Sequence, residues 1–101
     1  MIAIERQIQK VRKWEGLTEH QKKWDTLTNS LGFPPTKYYQ YIFGSHDTKT
    51  LIVERQWESM AQMEETYAKM WASEEFEKLS QEREDFISSA TFETLTPFLV
   101  D

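Results

Sequence analysis

The sequence contains no cysteine, which removes disulfide staples, zinc–thiolate sites, iron–sulfur clusters and thiol catalysis from consideration. Glycine and proline are sparse, three of each in 101 residues, and there is neither a low-complexity segment nor a Gly-rich phosphate loop. A nucleophile elbow, a Ser-His-Asp arrangement and an HExxH motif are also missing. No apolar run approaches the ~20 residues of a membrane span. The opening Met1-Ile2-Ala3-Ile4-Glu5-Arg6 has no basic region leading into an apolar core and a cleavage site. The expectation is one cytoplasmic domain over residues 1–101 with no membrane partner.

Basic residues are scarce in the second half of the chain. Residues 1–53 carry eight Lys/Arg against five Asp/Glu, whereas residues 54–101 carry four against twelve, within a net charge of −5. Such an acidic half repels phosphate, so nucleic acid is not expected as a partner. The plain reading of the acids is the solvated face of a helix.

What the chain does have is alternation and helical periodicity in a definite order. Ile2, Ile4 and Ile8 alternate with polar residues over 2–12 and predict a first strand with Arg6 interrupting its apolar face. After Glu15-Gly16, Thr18 and Gln21 fit a capping box that starts a helix. Its inward stripe is His20, Trp24, Leu27 and Leu31, and Gly32, Phe33 and Pro34-Pro35 end it. Aromatic-rich Lys37–Phe43 and Thr50–Trp57 predict a hairpin with a loop of about five residues. The strand then passes straight into a helix capped by Ser59, with a stripe of Met60, Met63, Tyr67, Met70 and Trp71 and a break near Ala72-Ser73, after which Phe76 and Leu79 continue the buried side. Phe86–Leu95 alternates as a last strand that Pro97 ends. The order β-α-β-β-α-β is the split βαβ arrangement, an α+β ferredoxin-like fold with an antiparallel sheet and helices on one face. The other face, mixed in polarity and assigned Ile52 with Ile42 or Tyr41 beside Gln7 and Gln56, is most simply covered by a second copy, so a homodimer is expected.

Val53-Glu54-Arg55-Gln56-Trp57-Glu58-Ser59-Met60 and Met70-Trp71-Ala72-Ser73-Glu74-Glu75-Phe76, in this order of elements, resemble the dimeric α+β barrel superfamily and, within it, NIPSNAP-like proteins. The resemblance implies two ferredoxin-like protomers joined through their sheets, with small-molecule pockets inside the barrel or between sheet and helices. Other members include cofactor-free antibiotic-biosynthesis monooxygenases and haem-degrading monooxygenases. The haem-degrading pattern uses an Asn on the first strand, a Trp, and a His on the second helix. This chain has Gln7 or Gln9 in place of the Asn, carries Trp57 and Trp71, and lacks a His over 59–85. No haem or other cofactor is therefore expected.

The candidate chemistry rests on parity. Arg6 and Arg55 share the alternation of Ile4, Ile8, Val53 and Trp57, which places both guanidinium groups on the helix-covered face near His20, Trp24 and Tyr67. Together with Trp57 they would hold a small hydrophobic or aromatic molecule bearing a carboxylate or enolate. The competing reading pairs the arginines with Glu54, Glu58 or Glu93. His20 is the candidate general base or proton shuttle of a cofactor-independent monooxygenase or isomerase, against the alternative of a packed, hydrogen-bonded histidine. The Met stripe reads first as core. His46 and Asp47 have no third ligand nearby, so no metal is expected. A structural interaction module without catalysis is the third functional class.

Overall fold

The computed structural model describes residues 1–100. Its elements are β1 (Ala3–Val11), α1 (Leu17–Ser30), β2 (Lys37–Gln40), β3 (Thr50–Trp57), α2 (Met60–Trp71), α3 (Glu74–Arg83) and β4 (Ile87–Leu95). The four strands form one antiparallel sheet in the order β2-β3-β1-β4, and the helices cover one face. This is the α+β ferredoxin-like fold, with the second helix divided in two at Ala72-Ser73.

Two apolar clusters fasten the helices to the sheet. One joins Ala3 and Trp57 to Leu27, Phe33, Met70 and Leu79; the other joins Val11, Leu51 and Val53 to Leu17, Phe86 and Ile87. Trp57, at the end of β3, is 1% exposed. Gly32 takes φ +86, closing α1 with a left-handed residue that L side chains disfavour, and the Phe33 amide then donates back to the Thr28 carbonyl at 3.0 Å. This places the Phe33 ring in the first cluster. Ser59 caps α2 as expected: the Gln62 amide donates to its Oγ at 3.1 Å, and the Gln62 side chain accepts from the Glu58 amide at 2.9 Å.

Met60 and Trp71, expected on the buried stripe of the second helix, stand 45% and 64% exposed, because they are the first and last residues of α2 and reach past the sheet it covers. Three further differences from the sequence expectations each have a physical reason. Helix α1 begins at Leu17, not from a Thr18 cap; Gly16 at φ +83 occupies the cap position, without a side-chain cap bond. A Cβ at Gly16 would stand 3.1 Å from the Phe86 ring, so a tight approach sets this turn. Strand β2 stops at Gln40 because its partner runs out. Gln40 pairs with Leu51, and the Tyr41 amide takes the last rung, on the Thr50 carbonyl at 3.0 Å. Ile42 and Phe43 therefore project from the loop, 86% and 94% exposed.

The third difference is the parity of β1. Ala3 pairs with Trp57, Glu5 with Arg55, Gln7 with Val53 and Gln9 with Leu51, and paired residues share a face. The helix-covered face of β1 is thus Ala3, Glu5, Gln7, Gln9 and Val11, while Ile4, Arg6 and Ile8 lie on the open face with Ile52, Glu54 and Gln56. Arg6 and Arg55 are on opposite sides of the sheet, and Gln7 leaves the face it was assigned. Burial of Leu51, Val53 and Trp57 fixes which face of β3 turns inward, and the pairing carries Glu5, Gln7 and Gln9 in with it although Ile4 and Ile8 are the more apolar residues of β1.

Ser59→Ala is expected to destabilise the fold by about 1 kcal/mol, the ordinary cost of losing a helix cap. Urea unfolding of the two proteins checks this, and an unchanged midpoint would show that the cap bond adds nothing.

Candidate functional site

Between the helices and the covered sheet face lies a cleft of about 470 Å³. Each element contributes according to its periodicity. Strands deliver alternate residues, so β1 supplies Glu5, Gln7 and Gln9 to the floor and β3 supplies Val53 and Arg55. Helix α1 contributes Gln21, Trp24 and Thr28; α2 contributes Met63, Tyr67 and Met70, with Trp71 at its end. Phe76, Ser80 and Arg83 come from α3, and Phe92 faces in from β4. The walls are aromatic rings and thioethers, and the floor is polar.

The floor is organised around the Glu5 carboxylate, whose residue is 4% exposed. Trp57 Nε1 donates to Glu5 Oε1 at 3.0 Å, Arg55 Nη1 donates to the same oxygen at 3.4 Å, and the Tyr67 hydroxyl donates to Oε2. Arg55 is held in turn by Thr36, whose Oγ1 accepts from Nε at 2.9 Å, and lies 5.1 Å from the centre of the Phe33 ring. A buried carboxylate costs several kcal/mol unless paired, and three donors, one cationic, meet that requirement. Burial first, and then the adjacent Glu5 charge, pushes the Tyr67 phenol above its ordinary range. It therefore stays protonated and donating at neutral pH. Beside this group runs a chain of amides: Gln21 Nε2 donates to Gln9 Oε1 at 3.4 Å, and Gln9 Nε2 donates to Gln7 Oε1 at 3.0 Å.

Of the residues singled out from the sequence, Trp24, Arg55 and Tyr67 come together in the cleft. Trp57 lies behind the floor and anchors Glu5. Arg6 is on the opposite sheet face, 3.0 Å from Glu54 and 4.0 Å from Glu93, which is the ion-paired reading for that residue. His20 is 1% exposed and stacks on Phe86 at 5.0 Å. Its Nε2 accepts from Trp24 Nε1 at 3.0 Å, which assigns the ring proton to Nδ1, 3.1 Å from Glu82 Oε1. Both ring nitrogens are thus engaged, and His20 sits behind Trp24 outside the cleft. Lys23, at 3.0 Å from both Glu82 oxygens, and His20 after it hold the Glu82 carboxyl below the usual carboxylate range.

Glu5 and Arg83 are cleft residues that sequence reading passes over, and Gln9 enters it only by comparison with the haem-degrading Asn. The alternation of β1 can be read with either face inward, and the more apolar face is the open one. Arg83 is hidden in the polar run Glu82-Arg83-Glu84-Asp85, where only helix spacing from Phe76 and Ser80 would have drawn attention to it. Among the described residues no group of three or more His, Cys, Asp or Glu side chains could hold a metal ion, and no helix is long and apolar enough to cross a membrane.

The two arginine pairs should differ sharply in energetic weight. The Arg55 and Glu5 side chains are 7% and 5% exposed, against 37% and 25% for Arg6 and Glu54. Arg55→Leu leaves a buried carboxylate short of its cationic donor and is expected to cost about 3 kcal/mol. Arg6→Leu, which breaks a partly solvated pair, should cost less than about 1 kcal/mol. Urea denaturation of both variants decides the matter, and equal losses would show that the Glu5 cluster does not anchor the fold.

Comparison with known proteins places this geometry. The NIPSNAP family model matches residues 5–100. No functionally curated protein matches the sequence. Among solved structures, a NIPSNAP family protein from Agrobacterium tumefaciens superposes with TM-score 0.72 at 16% identity, covering 97% of this chain and 94% of the other. A protein from Arabidopsis thaliana gives TM-score 0.75 at 13% identity, covering 98% of each chain. A mutant of SnoaB, a cofactor-independent oxygenase from Streptomyces nogalater, gives 0.64 at 8% identity, covering 98% and 95%. At such identities the likeness is one of fold. The family match runs over nearly the whole sequence and agrees with the element order, and the chain therefore belongs to the NIPSNAP family.

Proposed function

We propose that this protein binds a flat hydrophobic or aromatic small molecule in the cleft between sheet and helices, and does so as a homodimer. The observation that carries the binding reading is the cleft itself: about 470 Å³ walled by Trp24, Tyr67, Phe76 and two methionines, over a floor whose hydrogen bonds are already made. Volumes of roughly 300–1,000 Å³ with apolar walls and few polar groups are typical of small-molecule sites. Rings set at fixed angles favour planar ligands, and the thioethers of Met63 and Met70 adapt to their outline. Trp24, Arg55 and Tyr67 contact the ligand in this reading.

Binding is better supported than turnover. A cofactor-independent oxygenase or isomerase working through His20 needs a ring nitrogen free to take a proton from the substrate. Here Trp24 and Glu82 occupy both.

N-phenyl-1-naphthylamine, a neutral dye that fluoresces in apolar surroundings, tests the cleft directly. Saturable binding is expected, and Gln21→Trp, which fills the cleft from the partly exposed side of α1, should weaken it about tenfold. Absence of saturable binding would leave a protein–protein interaction module as the better reading.

The dimer reading rests on the open sheet face, where Ile4, Ile8, Ile52 and Leu95 surround the Arg6–Glu54–Glu93 group, and on the resemblance to dimeric barrels. Native mass spectrometry should give a dimer for the natural chain and a monomer for Ile8→Lys. A natural chain that is monomeric at micromolar concentration overturns it.

A further inference from the structure

The basic residues near the cleft are not equivalent. Arg55 is committed to Glu5, Thr36 and the Phe33 ring, and Arg6 faces Glu54 across the sheet. Arg83 is different. It lines the cleft from the last turn of α3 and is partly buried, yet among the described residues no carboxylate lies within 4.0 Å of its guanidinium and it makes no side-chain hydrogen bond. Its acidic neighbour Glu82 is turned to Lys23 and His20, while Glu84 and Asp85 are exposed. One turn earlier on the same helix face, Ser80 lines the same cleft, and among the described residues its hydroxyl makes no hydrogen bond.

We infer that Arg83, with Ser80 beside it, is the anion-recognising end of the cleft, so that the bound molecule is a planar aromatic carrying a single anionic substituent. This inference rests on the binding reading above and adds the ligand's charge and the residue that reads it. A guanidinium with no partner among the described residues, held at the edge of an apolar cleft, has its donors available for a carboxylate, sulfonate or phenolate. The ligand's rings lie against Trp24 and Phe76. The rest of the charged lining limits it to one anionic group: Arg55 is committed to Glu5 and Thr36, and the remaining charged residues, Glu64 and Glu93, are carboxylates. A second negative group finds no free cation among them.

The test uses two dyes of one skeleton, 1-anilinonaphthalene-8-sulfonate and the uncharged N-phenyl-1-naphthylamine, on the full chain. Only the binding component removed by Gln21→Trp is scored, which excludes dye held elsewhere on the surface. Arg83→Gln is expected to weaken the sulfonate about tenfold, or about 1.4 kcal/mol, and to change the neutral dye less than about twofold. Arg83→Lys should recover most of the loss, and added salt should weaken the sulfonate in the natural chain more than in Arg83→Gln. Equal weakening of both dyes would make Arg83 a packing residue and overturn the inference. So would a sulfonate affinity indifferent to Arg83→Gln. If the neutral dye binds and the sulfonate does not, the anion assignment alone falls. If neither binds the natural chain, the cleft reading falls and this inference with it.

Discussion

A carboxylate inside the apolar layer, Glu5, is the constraint around which the rest of the structure is arranged. It cannot remain there without donors, and its donors come from different parts of the chain: Trp57 and Arg55 from β3 and Tyr67 from α2. Meeting its need therefore ties β1 to the neighbouring strand and the strand to the helix above. The register that supplies these donors also brings Gln7 and Gln9 under the helices beside Glu5. The apolar clusters close on either side of this polar strip, and the cleft lies over it.

A floor satisfied in this way has a chemical consequence. Under the proposed binding, a ligand would enter without breaking the Glu5 contacts and would meet Tyr67 as a donor, not as a base. The side chains left to choose among ligands would be those without partners among the described residues, on the helices and at the rim. The cleft thus divides into a fixed strip in the sheet and a wall of rings and thioethers with Arg83 at its end.

Much of the fold is legible in the sequence because periodicity and punctuation agree. The Ser59 cap follows a strand that ends in Trp57, Gly32 and Pro34-Pro35 close α1, and Ser73 restarts the helix, so the element order emerges without tertiary information. The face of β1 does not. Ile4 and Ile8 are outweighed by what lies opposite, and the pairing of Glu5 with Arg55 is a cross-strand fact that no local window contains. The same limit governs the candidate site: Trp24, Arg55 and Tyr67 stand out as aromatic and basic residues on buried stripes, but the parity of β1 that puts Arg6 beside them is not the one the sheet adopts. The helical period puts His20 on an inward stripe, whereas its engagement by Trp24 and Glu82 depends on two helices meeting. Arg83 stands out only when the neighbouring charges are seen to be committed elsewhere.

The pairing of β1 with β3 also guards the sheet against misalignment. In the native register Glu5 faces Arg55 and Arg6 faces Glu54, an alternation of sign that inverts from one residue to the next. Sliding the strands by one position in one direction sets Glu5 against Glu54; sliding them in the other sets Arg6 against Arg55. Either slip brings like charges together and turns a whole strand face over. Two adjacent residues of opposite charge, matched by two more on the neighbouring strand, thus proofread the alignment of the central pair of strands during folding.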